Sequence, residues 1–262
     1  MSPVFKKIIF IISVICALFL YATFTHKYVI EFYDSFRGFT DLEYPKKIAK
    51  EWKQKSSNFL YFQIIIPNSS GRKGLALDIL SDRKDNRILP ILKDIIIKGD
   101  SNLNYVAILD LIKYGEDEAI PILMNVVNRY QDMNFYPGDR KHWKDYDRYS
   151  DALRGLAMLK YEPVYKISLD LAKSDSALEK QLAYNGLLHY YNNHWQEVLS
   201  LYEAVLKSTV DVKYFNLDAI KKLGRPEAIP ALKEYVKHNP LRRNDVEEVI
   251  KYLESLKTIK ED

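Results

Sequence analysis

The chain has 262 residues, 47% of them hydrophobic and 28% charged, too apolar for a disordered segment and ordinary for a folded one. Its net charge of +4 comes from 39 basic and 35 acidic residues interleaved along the sequence, without the clustered basic face of a nucleic-acid binder. The one cysteine, Cys16, sits in an apolar run near the N-terminus, so disulfides, cysteine-ligated zinc and thiol catalysis are excluded from the remainder.

The first predicted element is that apolar run, residues 8–24, opened by Ile8 and closed by Phe24. Lys6 and Lys7 precede it; His26 and Lys27 follow it. Wound as a helix it rises about 25 Å, close to the ~30 Å hydrocarbon core of a bilayer. Secretory apolar regions are shorter, about 7–15 residues. Leu20-Tyr21-Ala22 offers a bulky first position where a cleavage site needs a small one, and Ile15 before Cys16 is not the small residue of a lipobox. Residues 1–27 are therefore expected to form an uncleaved signal anchor, one transmembrane helix. The lysines in front of it place the body outside the cytoplasm, periplasmic if the membrane is a bacterial inner membrane. Cleavage would instead release a secreted body.

Residues 28–58 read as a membrane-proximal connector. Tyr28, Phe32, Tyr33, Phe36 and Phe39 suit either an interfacial aromatic belt or packing on the first hairpin, and 46–55 suits an amphipathic helix around Ile48, Ala49 and Trp52. Segment 59–66 has strand-like composition but no partner strand, and is taken as a buried helical turn or connector before Pro67.

From there the chain, residues 59–262 as one domain, reads as helical hairpins. One phrase occurs twice: Tyr114-Gly115-Glu116-Asp117-Glu118-Ala119-Ile120-Pro121-Ile122-Leu123, and Leu223-Gly224-Arg225-Pro226-Glu227-Ala228-Ile229-Pro230-Ala231-Leu232. Glycine ends one helix in the left-handed conformation, acids follow at the positive end of the next, and proline falls in its first turn, where a missing N–H costs little. Weaker echoes stand at 86–92 and 161–164. The expected pairs are 72–83 with 87–98, 102–114 with 117–131, 147–160 with 162–173, 176–192 with 195–207, and 211–223 with 226–237. A final polar helix follows Asn244, which reads with Glu247 as a capping box.

The segments 115–123 and 224–232 resemble the linker and second helix of HEAT-like repeats of the short bacterial type, and the resemblance spans roughly 71–238. It implies an all-α protein: a right-handed α-solenoid of about five HEAT-like helical hairpins with a C-terminal capping helix, behind one N-terminal transmembrane helix. It implies no single activity, since HEAT-like proteins include scaffolds, lyase subunits and DNA-repair glycosylases.

The longest break in the hairpin rhythm is 131–149. Phe135, Tyr136, Arg140, Lys141, His142, Trp143 and Tyr146 make it the candidate interaction loop, with aromatics beside cations. The alternative is a packed connector. His189 and His194 are five apart, where helical zinc pairs prefer four, so no metal is expected there. Residues 100–104 open like a calcium loop, but Tyr105 stands where glycine belongs and Leu111 where glutamate belongs; they are read as a turn with helix-capping residues. Segment 69–74 lacks the ending of a phosphate loop and is read as a loop into the first hairpin. Arg83, Lys84, Arg87, Lys221, Lys222 and Arg225 fall at inter-helix turns, as a basic ridge or as a mixed-charge rim with Asp82, Asp85, Glu116, Asp117 and Glu118.

No catalytic residues, cofactor, metal or small-molecule ligand are expected. The expected role is a membrane-tethered, non-enzymatic protein–protein interaction or scaffold module whose partner is a protein. One alternative is a lyase-like or other enzyme subunit working in a groove among Asp78, Asp110, Tyr114, Asp151, Arg154 and Asp218. A nucleic-acid-binding HEAT-like protein is the other.

Overall fold

A computed structural model of the chain describes residues 44–66, 68–98, 102–131, 143–207 and 216–258. The apolar run 8–24 and the aromatics of 28–39 lie outside them. Among the described residues there are thirteen α-helices and no strand, so the protein is all-α. None of those helices is long and apolar enough to cross a membrane. The chain divides into two compact units, Met1–Glu118 and Ala119–Asp262.

In the first unit, α1 (Tyr44–Trp52) and α2 (Ser57–Ile65) precede α3 (Ser70–Asp82), α4 (Leu89–Lys98) and α5 (Asn104–Ile112); α6 (Glu116–Tyr130) starts at its end. The serine before each of two helices starts it. Ser56 accepts from the Phe59 N–H at 3.2 Å and Ser69 from the Arg72 N–H at 3.3 Å. Ser69 thereby draws 70–74, expected as a loop, into the first turn and a half of α3. Segment 59–66 is a helix almost throughout, but it is not buried as expected. Leu60 and Ile64, one turn apart, pack inward, whereas Phe59, Phe62 and Ile65 are 36%, 53% and 58% exposed. α3 packs on α1, α2 and α5, and α4 packs on α5. Leu103 holds the position before α5 and supplies no side-chain cap, and Asp100 and Ser101 of the expected capping turn lie outside the described residues.

In the second unit, α6 leads to α7 (Trp143–Met158), α8 (Glu162–Lys173), α9 (Ala177–Leu182), α10 (Trp195–Lys207), α11 (Asp218–Leu223), α12 (Ile229–His238) and α13 (Arg243–Thr258). Successive helices pack: α7 on α8, α8 on α9, α12 on α13. So do helices two apart, α10 with α12 and α11 with α13. The single helix expected over 176–192 changes winding at Ala183. A π-helical turn, Ala183–Leu187, is followed by two short 3₁₀ segments. The widened turn leaves the Tyr184 carbonyl to the hydroxyl of Tyr202, a completely buried side chain, at 3.1 Å.

The inter-helix turns are more alike than their residues. Gly115 and Gly224 have positive φ, as their glycines predict, and so do Lys84 (φ 56°) and Lys160 (φ 55°). At both lysines the backbone closes identically. The Lys84 N–H donates to the Ser81 carbonyl and the Asp85 N–H to Leu80; the Lys160 N–H donates to Ala157 and the Tyr161 N–H to Leu156. This is the Schellman closure, written with lysine.

Two expectations about helix starts are corrected. Pro121 is the sixth residue of α6, past its first turn, because α6 begins directly after Gly115. By contrast, Pro90 and Pro230 are second in α4 and α12, each behind a 3₁₀ turn (Asn86–Ile88 and Pro226–Ala228), so the weak echo at 86–92 copies 226–232 more closely in form. Asn244 lies inside α13 and cannot cap it, since the 3₁₀ turn Pro240–Arg242 already leads the chain into the helix at Arg243.

Candidate functional site: a carboxylate-lined groove

Within the first unit, α3 and α5 enclose a groove of about 410 Å³. Gly71 and Gly74 keep the α3 side low, Leu75, Leu103, Val106 and Leu109 give it apolar walls, and Asp78 and Asp110 line its polar part. Asp78 and Asp110 are thus brought together as the enzyme alternative requires.

Lys113, one turn beyond Asp110, joins them. Its Nζ lies 2.5 Å from Asp78 Oδ1, 2.8 Å from Asp82 Oδ1 and 3.0 Å from Asp110 Oδ1. Asp110 is 1% exposed, and its second carboxylate oxygen has no partner among the described residues. Burial pushes its carboxyl up to about 6 against the pull of Lys113. Partial burial opposes the charge on Lys113, but the bonds to Asp78, Asp82 and Asp110 outweigh it and hold the proton more firmly than on a free lysine. Three carboxylates on one ammonium leave the groove net acidic. Lys113 was not singled out from sequence, because a lysine in a last helical turn reads as a dipole complement.

The other groove candidates have structural partners. Tyr114 donates to the Asp85 carbonyl at 2.8 Å, and burial pushes its hydroxyl up to about 12. In the second unit Asp151 pairs with Arg154 at 3.6 Å, and Asp218 stands in the first turn of α11.

Of the candidate interaction loop, Phe135, Tyr136, Arg140, Lys141 and His142 lie outside the described residues. Trp143 opens α7 and is 46% exposed. Tyr146 packs instead: its hydroxyl donates to the Leu178 carbonyl at 3.1 Å and is pushed up to about 12 by burial.

The turn cations engage neighbouring helices within their own units. Arg83 donates to the Lys53 carbonyl and to Ser57. Arg87 holds Asp85 and Asn58 and lies over the Tyr61 ring. Lys84 lies over Tyr114, Lys221 pairs with Glu248, and Arg225 lies over Trp195.

The two histidines face different surroundings. His194 stacks on Tyr165 at 4.1 Å and pairs with Glu162 at 2.9 Å. His189 is 5% exposed, and both its ring nitrogens lack a hydrogen-bond partner among the described residues; burial, helped by Lys222 and Arg154, pushes its pKa down to about 4. Among the described residues no cluster of three or more metal-ligating side chains occurs.

No family model, curated protein or solved structure matches the chain.

Proposed function

We propose that this protein is a non-enzymatic protein-interaction module built of HEAT-like hairpins stacked as an α-solenoid and tethered to a membrane by residues 8–24, with its body outside the cytoplasm. The observation that carries the reading is a bond made the same way in both units. Tyr114 donates to the carbonyl of Asp85, the residue after left-handed Lys84, and Tyr191 donates to the carbonyl of Tyr161, the residue after left-handed Lys160. The separations are 29 and 30 residues, one hairpin each. Tyr165 to Glu197 (32 residues), Tyr146 to Leu178 (32) and Asn216 to Asn185 (31) keep the same step. A hairpin that bonds to the one before it is the unit of a repeat array, and arrays serve as extended binding surfaces.

The groove supports binding, because three carboxylates held on one ammonium leave it acidic between apolar walls. Apolar walls beside exposed acid suit a protein segment that carries an apolar side chain next to a lysine or arginine.

The test places a photo-cross-linking residue at Leu75 of the full chain in its native membrane. A discrete adduct with another protein is expected, and it should disappear when Val106→Glu blocks the groove. Failure to form any adduct, or an adduct indifferent to Val106→Glu, would overturn the binding role. A C-terminal reporter active only in the cytoplasm would overturn the placement of the body.

A further inference from the structure

We infer that α1 and α2 together form a second membrane contact, a surface that lies on an anionic bilayer beside the tether. The inference rests on the tether reading above.

The charge is concentrated where such a contact needs it. Residues 46–55 hold Lys46, Lys47, Lys50, Lys53 and Lys55 against Glu51 alone, a net +4 equal to that of the whole chain. Elsewhere acids and bases balance in sum, so this segment carries the net positive charge of the chain. Lys46, Lys47, Lys50 and Lys53 are exposed.

The apolar component adjoins it. Phe59, Phe62 and Ile65 recur every three residues, which puts them along one stripe of α2, and each is exposed while Leu60 and Ile64 hold the opposite side to the core. The Phe59 ring meets the edge of buried Trp52, the last residue of α1, at 5.8 Å between centroids, and the Lys55 ammonium sits 5.8 Å from the centre of the same ring. At Lys55, which also pairs with Glu51 at 3.0 Å, a cation adjoins the aromatic end of the stripe. Aromatic and aliphatic side chains beside lysines are the chemistry of helices that rest in the headgroup layer of anionic lipid.

The chain length makes the contact reachable. Residues 25–43 separate the apolar run from α1, and these 19 residues span at most about 65 Å fully extended. α1 and α2 are thus confined near the bilayer at high effective concentration, where even a modest surface affinity is sufficient.

The full chain is tested with Cys16 replaced by serine and a single cysteine introduced as Phe62→Cys or Ile65→Cys. Each carries an environment-sensitive fluorophore and is reconstituted into lipid nanodiscs that contain a lipid-borne quencher. In discs containing phosphatidylglycerol, both positions should lose emission. The loss should vanish in pure phosphatidylcholine discs, and in phosphatidylglycerol discs when Lys46, Lys47, Lys50 and Lys53 are all changed to glutamine. Unquenched label on a chain that co-elutes with the discs overturns the contact and leaves the tether intact. A chain that does not co-elute overturns both. A blue shift without quenching that grows with protein concentration in detergent shows self-association through α2 and also overturns the proposal.

Discussion

Lys160 is exposed, its φ is 55°, and its side chain makes none of the described turn's bonds. A side chain with a Cβ pays roughly 1–2 kcal/mol for the left-handed conformation that glycine adopts freely. Lys160→Gly is therefore expected to stabilise the protein by about 1 kcal/mol after the looser unfolded chain is counted, as a raised urea midpoint in the detergent-solubilised chain. The glycines behave in the opposite sense and unequally. At Gly224 (φ 64°) a Cβ would meet only ordinary contacts and the backbone matches that of the lysines. At Gly115 φ is 110°, outside the left-handed minimum. Gly115→Ala should cost more than Gly224→Ala, which should cost about 1–2 kcal/mol. Equal costs in denaturant melts would show that the Gly115 turn relaxes to the lysine form.

The tyrosine bond connects elements, and its two copies differ in surroundings. Tyr191 is completely buried and donates to the Tyr161 carbonyl at 3.0 Å; Tyr114 is only half-buried. Tyr191→Phe should cost about 1–2 kcal/mol, the penalty for a buried polar group left unmatched, whereas water replaces the lost partner in Tyr114→Phe. Equal losses in melting experiments would count against the comparison. At this scale the limits of the sequence are physical. The hairpins at 115 and 224 are visible because glycine records the backbone conformation. The turns at 84 and 160 are expected from the helix pairs around them, but their left-handed backbone is not legible, because lysine carries no such mark and reads as a solvated charge. Asp78 and Asp110 are legible as acids on first helices, but their convergence on Lys113 joins residues 35 apart and depends on how α3 meets α5. Nothing in the sequence 183–187 announces a π-helical turn. Asn244 shows the reverse error, a capping pattern overridden by a preceding 3₁₀ turn that feeds the helix without it.

At the scale of the whole molecule, two of the buried titratable groups among the described residues, Asp110 and His189, oppose each other. The Asp110 carboxyl ordinarily titrates near 3.9 and is raised to about 6 in the folded protein. The folded state therefore holds that proton more tightly, and the stability it confers is full below about 4 and lost as pH rises through 6, on the order of 3 kcal/mol. His189 runs the other way. Its pKa falls from near 6.5 to about 4, so its contribution is full above 6.5 and is lost as pH falls toward 4, again on the order of 3 kcal/mol. The first group lies in Met1–Glu118 and the second in Ala119–Asp262. Amide exchange of each unit should reveal what a whole-chain melt averages out. Asp110→Asn should gain protection over wild type at pH 7 more than at pH 4.5, and His189→Phe more at pH 4.5 than at pH 7. Variants that track the wild type in parallel at both values would refute the assignment.

The step of about thirty residues has a further consequence, for how the chain comes to be made. Tyr114 finds its acceptor 29 residues back, and Tyr191 finds its own 30 back. A nascent chain emitting 5–20 residues per second completes such a step within about 2–6 s, and no bond of this kind waits for the far end of the protein. Folding can then proceed in the order of synthesis, the turns at Lys84 and Lys160 each closed by a tyrosine about thirty residues further on, with little sequence to search at any moment.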